Sequence, residues 1–225
     1  MASLKVNILI PMAGRGSRFA TQNFVQPKPL IDVAGRSMIS WVVNNVDSDL
    51  IEARFIFLVL REHDQEHGLT SFLKALKPNV DVVYVDAVTE GAACTTLLAR
   101  RLIDNDTPLL IANSDQYVEW SADDYWRRMA SQLDSSDGDV LCFHIPMEAN
   151  DTKWSYAAVD GGGRVTDIQE KVVISENATV GYYYWRRGSQ YVTLTDAMIA
   201  KDVRVNGEFY VAPVYNEGVA AGIHR

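Results

Sequence analysis

Cysteine is scarce in this sequence of 225 residues: Cys94 and Cys142 are the only two, each inside an apolar run. Neither a disulfide framework nor a cysteine metal cluster can be built from them, and both read as reduced core residues of a cytoplasmic protein. An excess of positive charge is lacking too. The formal net charge of -8 opposes non-specific attraction to nucleic acid or to an acidic membrane surface, so a small-molecule partner is the better expectation. No apolar run is long enough to cross a bilayer, and the opening MASLKVNILIP, without a signal-type cleavage region, reads as a first core strand. Internal repeats, low-complexity tracts and an obvious linker are missing as well. Three nucleotide-binding signatures are also absent. No lysine followed by Ser or Thr closes a Walker loop; Phe19 stands where a dinucleotide fingerprint needs its third glycine; Asn113 stands where an Asp-x-Asp motif needs its first aspartate.

What is present is an ordinary globular composition, 48% hydrophobic and 22% charged, with strand and helix patterns in alternation. Val6 to Ile10 is a short apolar run ended by Pro11. Ser37 can cap a helix that carries Met38, Ile39, Trp41, Val42, Val43 and Val46, and Phe55 to Leu60 is an apolar strand. Helix is expected over 65–76 and 91–102, with strands over 80–85 and 109–112. This order implies a mostly parallel sheet. Beyond Asp115 the pattern becomes mixed, with helix over 122–133, strands near 140–144, 156–159, 165–169 and 179–185, a helix around Ala197 and Met198, and a last helix over 210–220. In open α/β sheets ligands bind beyond the carboxyl ends of the strands, which directs attention to the loops after Ile10 and Ala112.

Both loops carry unusual polar residues. The first reads PMAGRGSRF from Pro11 to Phe19, followed by QPKPL from Gln26 to Leu30. Gly14 and Gly16 let the backbone bend sharply and turn successive N–H groups toward phosphate oxygens, while Arg18 adds a fixed cation. Lys28, between Pro27 and Pro29 on a stiff segment, is a point charge suited to an α-phosphate under attack. A plain tight turn is the competing reading of the glycines. The second loop is Asn113, Ser114, Asp115 and Gln116. Mg2+ needs one or two carboxylates beside substrate phosphates and water, so Asp115 is a candidate ligand, with a simple Asp turn as the alternative. His63 and His67, four apart in REHDQEH, have no third ligand in view and read as solvated surface, and His144 reads as a strand end. Trp154, Tyr156 and the run Tyr182 to Trp185 read mainly as packing, while leaving open an aromatic seat for a quaternary ammonium.

Taken in order, PMAGRGSRF, PKPL, TEGAACTTLLA from Thr89 to Ala99, NSDQ, VTDIQEK ending at Lys171 and VGYYYW from Val180 to Trp185 resemble the nucleotidyl transferase family, which includes sugar-1-phosphate nucleotidylyltransferases and small phosphocholine-type cytidylyltransferases. Ser17 and Phe19 replace the Thr and Leu common in that family's loop. The resemblance implies a single catalytic domain over 1–225 with a GT-A-like, Rossmann-like three-layer sandwich around a mostly parallel mixed sheet, its nucleotide half near 1–120 and its acceptor half near 121–225. It implies Mg2+-dependent transfer of a nucleotidyl group, pyrimidine preferred, from a nucleoside triphosphate to a phosphorylated small acceptor, with release of pyrophosphate. A sugar 1-phosphate and a phosphorylated amino alcohol both fit as acceptor.

Carried over by position, Ala13, Gly14, Gly16, Ser17 and Ser114 would bind the nucleotide with Arg18 and Lys28 as the catalytic cations, and Gly91 and Ala92 would approach the base. Tyr156, Glu170, Lys171 and Gly181 would meet the acceptor; Asp115 and Glu208, the latter in NGEFY, would hold Mg2+. Relatives continue past the last helix with segments that often serve assembly. Here the chain ends at Gly222 to Arg225, so a monomer and a homo-oligomer both stay open. A glycosyltransferase on a similar sheet would not use Lys28 and its loop, and a non-catalytic nucleotide sensor would not need Glu208.

Overall fold

Strand β1 (Leu4–Pro11) places Ile8, Leu9 and Ile10 out of contact with solvent on alternate sides, and each such buried aliphatic side chain contributes about 1.5–3 kcal/mol. The computed structural model describes residues 3–14, 26–133, 137–146 and 151–223. After β1 come a 3-10 turn over Lys28–Leu30, a two-residue hairpin of β2 (Asp32–Val33) and β3 (Arg36–Ser37), and helix α1 (Met38–Val46). Ser37 caps α1 by accepting a hydrogen bond from the Ser40 amide, as its residue type predicts. Ile39, Val42, Val43 and Val46 recur at helical spacing and form its buried stripe.

Next in the chain are β4 (Ile51–Leu60), α2 (Arg61–His67), α3 (Leu69–Leu76), β5 (Val80–Val85), α4 (Ala92–Leu97), α5 (Arg100–Ile103) and β6 (Leu109–Ala112). The remainder is α6 (Ala122–Ser131), β7 (Gly138–His144), β8 (Ser155–Val159), β9 (Val165–Glu170), β10 (Asn177–Trp185), α7 (Gly188–Ala200) and α8 (Val214–Ala220).

One eight-stranded mixed sheet runs through both halves in the order β5-β4-β1-β6-β10-β8-β9, with β7 also paired to β10. Strands β5, β4, β1 and β6 are mutually parallel, whereas β10 joins β6, β7 and β8 antiparallel and β8 pairs antiparallel with β9. The alternation of strand residues sends Leu9, Ile56, Leu58 and Ile111 to one core with α7 and α8, and Ile8, Phe55, Phe57 and Leu110 to another with α1, α3 and α6. The result is the three-layer α/β arrangement expected from the sequence.

Three helix expectations need correction. The segment 65–76 is two helices, beginning at Arg61 and broken at Gly68, whose φ of 64° closes one helix and opens the next. The segment 91–102 also divides, after Leu97. The last helix starts at Val214, not at Tyr210. Pro213 disfavours a helical residue before it, and the Phe209 backbone makes its hydrogen bonds to Glu90 and Ala93 instead.

Candidate active site

Chain direction creates the site. From β1 the chain winds outward through β4 and β5, then returns to place β6 on the other side of β1, with Leu9 beside Ile111. The carboxyl ends of β1 and β6 therefore open onto a crevice where strand order reverses, the usual ligand position in such sheets. A cleft of about 310 Å3 lies there. Its walls include Ala13, Gly14, Lys28, Gly91, Ala92, Ser114, Asp115 and Glu208, which the sequence predicted, and Tyr210, which it did not. A larger cavity of about 480 Å3 lies beside Arg128, Asp139 and Tyr215, and among the described residues none of those predicted lines it.

Lys28 is held by the 3-10 turn, in which the Leu30 amide donates to Pro27 O at 2.9 Å and the Ile31 amide to Lys28 O at 3.2 Å. Its ammonium donates to the Asp115 carboxylate, joining the two loops that the sequence marked separately. Both side chains are partly open to solvent, at 24% and 31% of full exposure, so either can exchange this partner for a ligand.

The Asp115 loop is fastened on both sides. The Asn113 amide donates to Gly181 O at 2.9 Å. Asn45 on α1 donates through Nδ2 to Val118 O and accepts through Oδ1 from the Val118 amide and the Tyr182 hydroxyl, at 2.8, 2.9 and 2.7 Å. Nothing in the sequence singled out Asn45. Its signal is a polar residue beside Val42, Val43 and Val46 on a helix, too common a pattern to identify alone.

Gly181 and Gly91 owe their identity to the protein itself. With φ 77°, Gly181 leaves room for Asn113, whose Nδ2 would sit 2.3 Å from an added Cβ. The space a side chain at Gly181 would take thus holds the Asn113 side-chain amide. Gly91 has φ 125° and faces Phe209, whose carbonyl oxygen would lie 2.4 Å from an added Cβ. Phe209 N donates to Glu90 O at 2.8 Å and Ala93 N to Phe209 O at 3.0 Å, so this close approach seats Glu208 and Tyr210 at the cleft.

The remaining acceptor candidates divide. Tyr156 is buried with its hydroxyl donating to Asp151 O at 2.6 Å, which makes it a packing residue in this arrangement. Glu170 is buried next to Ser155, which donates to its carboxylate; burial pushes the Glu170 carboxyl above its ordinary range, against the opposing pull of Ser155 and Lys171. Lys171, at φ 59°, donates to the Tyr210 hydroxyl, and Tyr210 donates to Glu208 Oε2 at 2.6 Å. Gly16, Ser17 and Arg18 lie outside the described residues. Buried Tyr182, Tyr183, Tyr184 and Trp185 form core, as expected.

The cleft's fit to Mg2+ can be judged from its donors. Asp115 and Glu208 present hard carboxylate oxygens on its walls, and among the described residues neither histidine nor cysteine lines it. Among the described residues no three His, Cys, Asp or Glu side chains group closely enough to hold a metal by themselves. Among the same residues no helix is long and apolar enough to cross a membrane.

Solved structures with this fold include a nucleoside-diphosphate-sugar pyrophosphorylase from Vibrio cholerae RC9, with 24% identity, TM-score 0.76, and coverage of 96% of this chain and 88% of that one. A candidate glucose-1-phosphate thymidylyltransferase from Bacillus anthracis, solved with sucrose, gives 19%, 0.74, and coverage of 97% and 84%. A UDP-glucose pyrophosphorylase complexed with UDP-glucose gives 14%, 0.73, and coverage of 97% and 88%. No curated protein sequence matches the chain. At these identities the likeness establishes the GT-A-like fold. The sequence model of the nucleotidyl transferase family, however, matches residues 8–203, a span containing both loops that meet at Lys28 and Asp115, and on that match the chain belongs to the nucleotidyl transferase family.

Proposed function

We propose that this protein transfers a nucleoside monophosphate group, with a pyrimidine base preferred, from a nucleoside triphosphate to a sugar 1-phosphate and releases pyrophosphate. The observation that carries the reading is the meeting of Lys28 and Asp115 in one cleft that also contains Gly14 and Glu208. In-line attack by an acceptor phosphate oxygen on the α-phosphorus brings two anions together, so positioning and charge neutralisation dominate over acid-base chemistry. Lys28 leaves Asp115 for the α-phosphate, where negative charge grows as the new P–O bond forms and the bond to pyrophosphate breaks. Asp115 and Glu208 would hold Mg2+, which when bound would neutralise phosphate charge. Ala13, Gly14, Gly16, Ser17 and Ser114 bind the nucleotide, Arg18 steadies the departing pyrophosphate, and the Gly91–Ala92 backbone borders the base. Lys171 meets the acceptor phosphate, and Glu170 its polar groups.

The sugar 1-phosphate is preferred over a choline-like acceptor because Tyr182, Tyr183, Tyr184 and Trp185 are occupied in the core and offer no open seat for a quaternary ammonium. The names of the solved proteins with this fold point the same way. Residues 1–225 act in this reading as one catalytic domain, with the nucleotide bound mainly by the first half and the acceptor by the second.

The test is pyrophosphate release with Mg2+ and ATP, GTP, CTP, UTP or dTTP, each against a panel of sugar 1-phosphates and phosphorylated amino alcohols. Release that requires one triphosphate together with one sugar 1-phosphate is the expected result. Release only with a phosphorylated amino alcohol would replace the acceptor class; tight triphosphate binding without release across the panel would replace the enzyme by a sensor.

A further inference from the structure

Tyr210 stands between two groups of opposite charge that have separate tasks in the function proposed above. An ammonium can only donate and an ionised carboxylate can only accept, so the hydrogen bonds through the phenol have one direction: Lys171 to Tyr210, and Tyr210 to Glu208 Oε2 at 2.6 Å. The Lys171 ammonium also lies 4.5 Å from the centre of the Tyr210 ring, within reach of a cation-π attraction. Tyr210 and Glu208 line the cleft on either side of buried Phe209, whose backbone is fixed to Glu90 and Ala93. The phenol is therefore anchored by the fold, whereas the lysine is a long side chain that takes its position from the phenol.

We propose that Tyr210 is a positioning residue that keeps Lys171 and Glu208 from closing on each other as an ion pair, so that the ammonium stays available to the acceptor phosphate and the carboxylate to a divalent cation. This rests on the reading of the cleft given above. The phenol satisfies Glu208 Oε2 and leaves Oε1 for a cation; it takes one ammonium proton and leaves two for phosphate oxygens. Removal of the hydroxyl leaves the ammonium and the carboxylate as each other's natural partner, and a direct ion pair masks both. Because Lys171 is not itself a metal ligand in this reading, its presence should decide how much damage the loss of the hydroxyl does to metal binding.

The experiment is Mn2+ binding to the full chain saturated with whichever of the five triphosphates binds it most tightly, followed by electron paramagnetic resonance, for the wild type, Tyr210→Phe, Lys171→Met and the double variant, with thermal melts to verify folding. Tyr210→Phe should weaken Mn2+ binding about tenfold, the scale of a charge-assisted interaction, and the deficit should vanish when Lys171→Met is added. Tyr210→Leu is a second hydroxyl-free variant with the same two expectations. Wild-type affinity in both hydroxyl-free variants would overturn the proposal, as would a deficit of the same size with Lys171→Met present. With the substrate pair found by the pyrophosphate panel and Mg2+ at saturation for each variant, Tyr210→Phe should raise the acceptor KM about tenfold and leave the triphosphate KM within about twofold; equal rises in both would also overturn it. Failure of the enzymatic reading shows separately, as absence of pyrophosphate release from the wild type, and the Mn2+ measurements still decide the role of Tyr210.

Discussion

Replacing Gly91 by alanine tests how the cleft is assembled. The added Cβ would lie 2.4 Å from Phe209 O, 2.6 Å from Phe209 N and 2.9 Å from Phe209 C, all backbone atoms, so no side-chain rotation relieves the contact. Gly91 also has φ 125°, a conformation whose strain for an L-residue is of order 1–3 kcal/mol. Moving the Phe209 segment away would disturb the hydrogen bonds from Phe209 N to Glu90 O and from Ala93 N to Phe209 O, each worth about 0.5–1.5 kcal/mol net. Together these give roughly 2–6 kcal/mol, and at about 2–4 °C per kcal/mol for a chain of this size, a Tm lower by roughly 4–24 °C. Because Glu208 and Tyr210 move with Phe209, the Mg2+ requirement for turnover should rise as well. Gly14→Ala is the control. An added Cβ there meets none of the described residues within 4 Å, so the melt should hardly change even if triphosphate binding does. A Gly91→Ala melt within about 2 °C of the wild type, or equal losses from both variants, would refute the reasoning.

Lys28→Ala should lower kcat by about 10²–10³-fold while the triphosphate Kd, measured by calorimetry, changes only a few-fold, because its charge is assigned to the transition state. Comparable loss of binding and turnover would count against that role. Burial places the Glu170 carboxyl above its ordinary range, so the folded state binds this proton more tightly than the unfolded state does. Its stabilising contribution is complete below the unfolded pKa and is lost as pH rises through the raised folded value. The wild type should therefore lose stability relative to Glu170→Gln as pH rises from the ordinary carboxyl range, about 4, through the raised folded value in denaturant titrations, and parallel pH profiles would contradict the assignment. Ser37→Ala removes the cap of α1 and should lower unfolding free energy by about 1 kcal/mol, read from the denaturation midpoint at unchanged slope.

The elements most legible in the sequence are those in which local pattern and tertiary burial agree. The strand 109–112 is buried throughout, and the Ser37 cap opens the helix whose stripe Ile39, Val42, Val43 and Val46 is buried, whereas the strand 80–85, at the sheet edge, forms as its β-branched residues predict with only Val85 buried. Both loops of the site were legible for a related reason. Gly14, Lys28 and Asp115 sit at strand ends in polar surroundings, where a packing explanation is weak, and the fold brings them to one cleft. Asn45 and Tyr210 were not legible because their roles depend on partners 73 and 39 residues away, Val118 and Lys171, with no local periodicity to announce them.

The segment around Phe209 shows most directly why such residues escape a local reading. Its apolar run, FYVAPVYNEGVA, has the composition of a helix, yet the part before Pro213 is recruited by an external partner. The Glu90 carbonyl and the Ala93 amide take the hydrogen bonds that a helical turn would have formed, and they can do so only because residue 91 has no side chain. Glu208, named on resemblance as a metal ligand, lines the cleft, while the device that puts it there lies 117 residues earlier in a glycine assigned to the nucleobase. One glycine can border a ligand and also admit a backbone, and variants at this position separate the two roles. A residue needed only for the base would alter triphosphate binding alone, whereas a residue that seats Phe209 must alter stability and the metal requirement together.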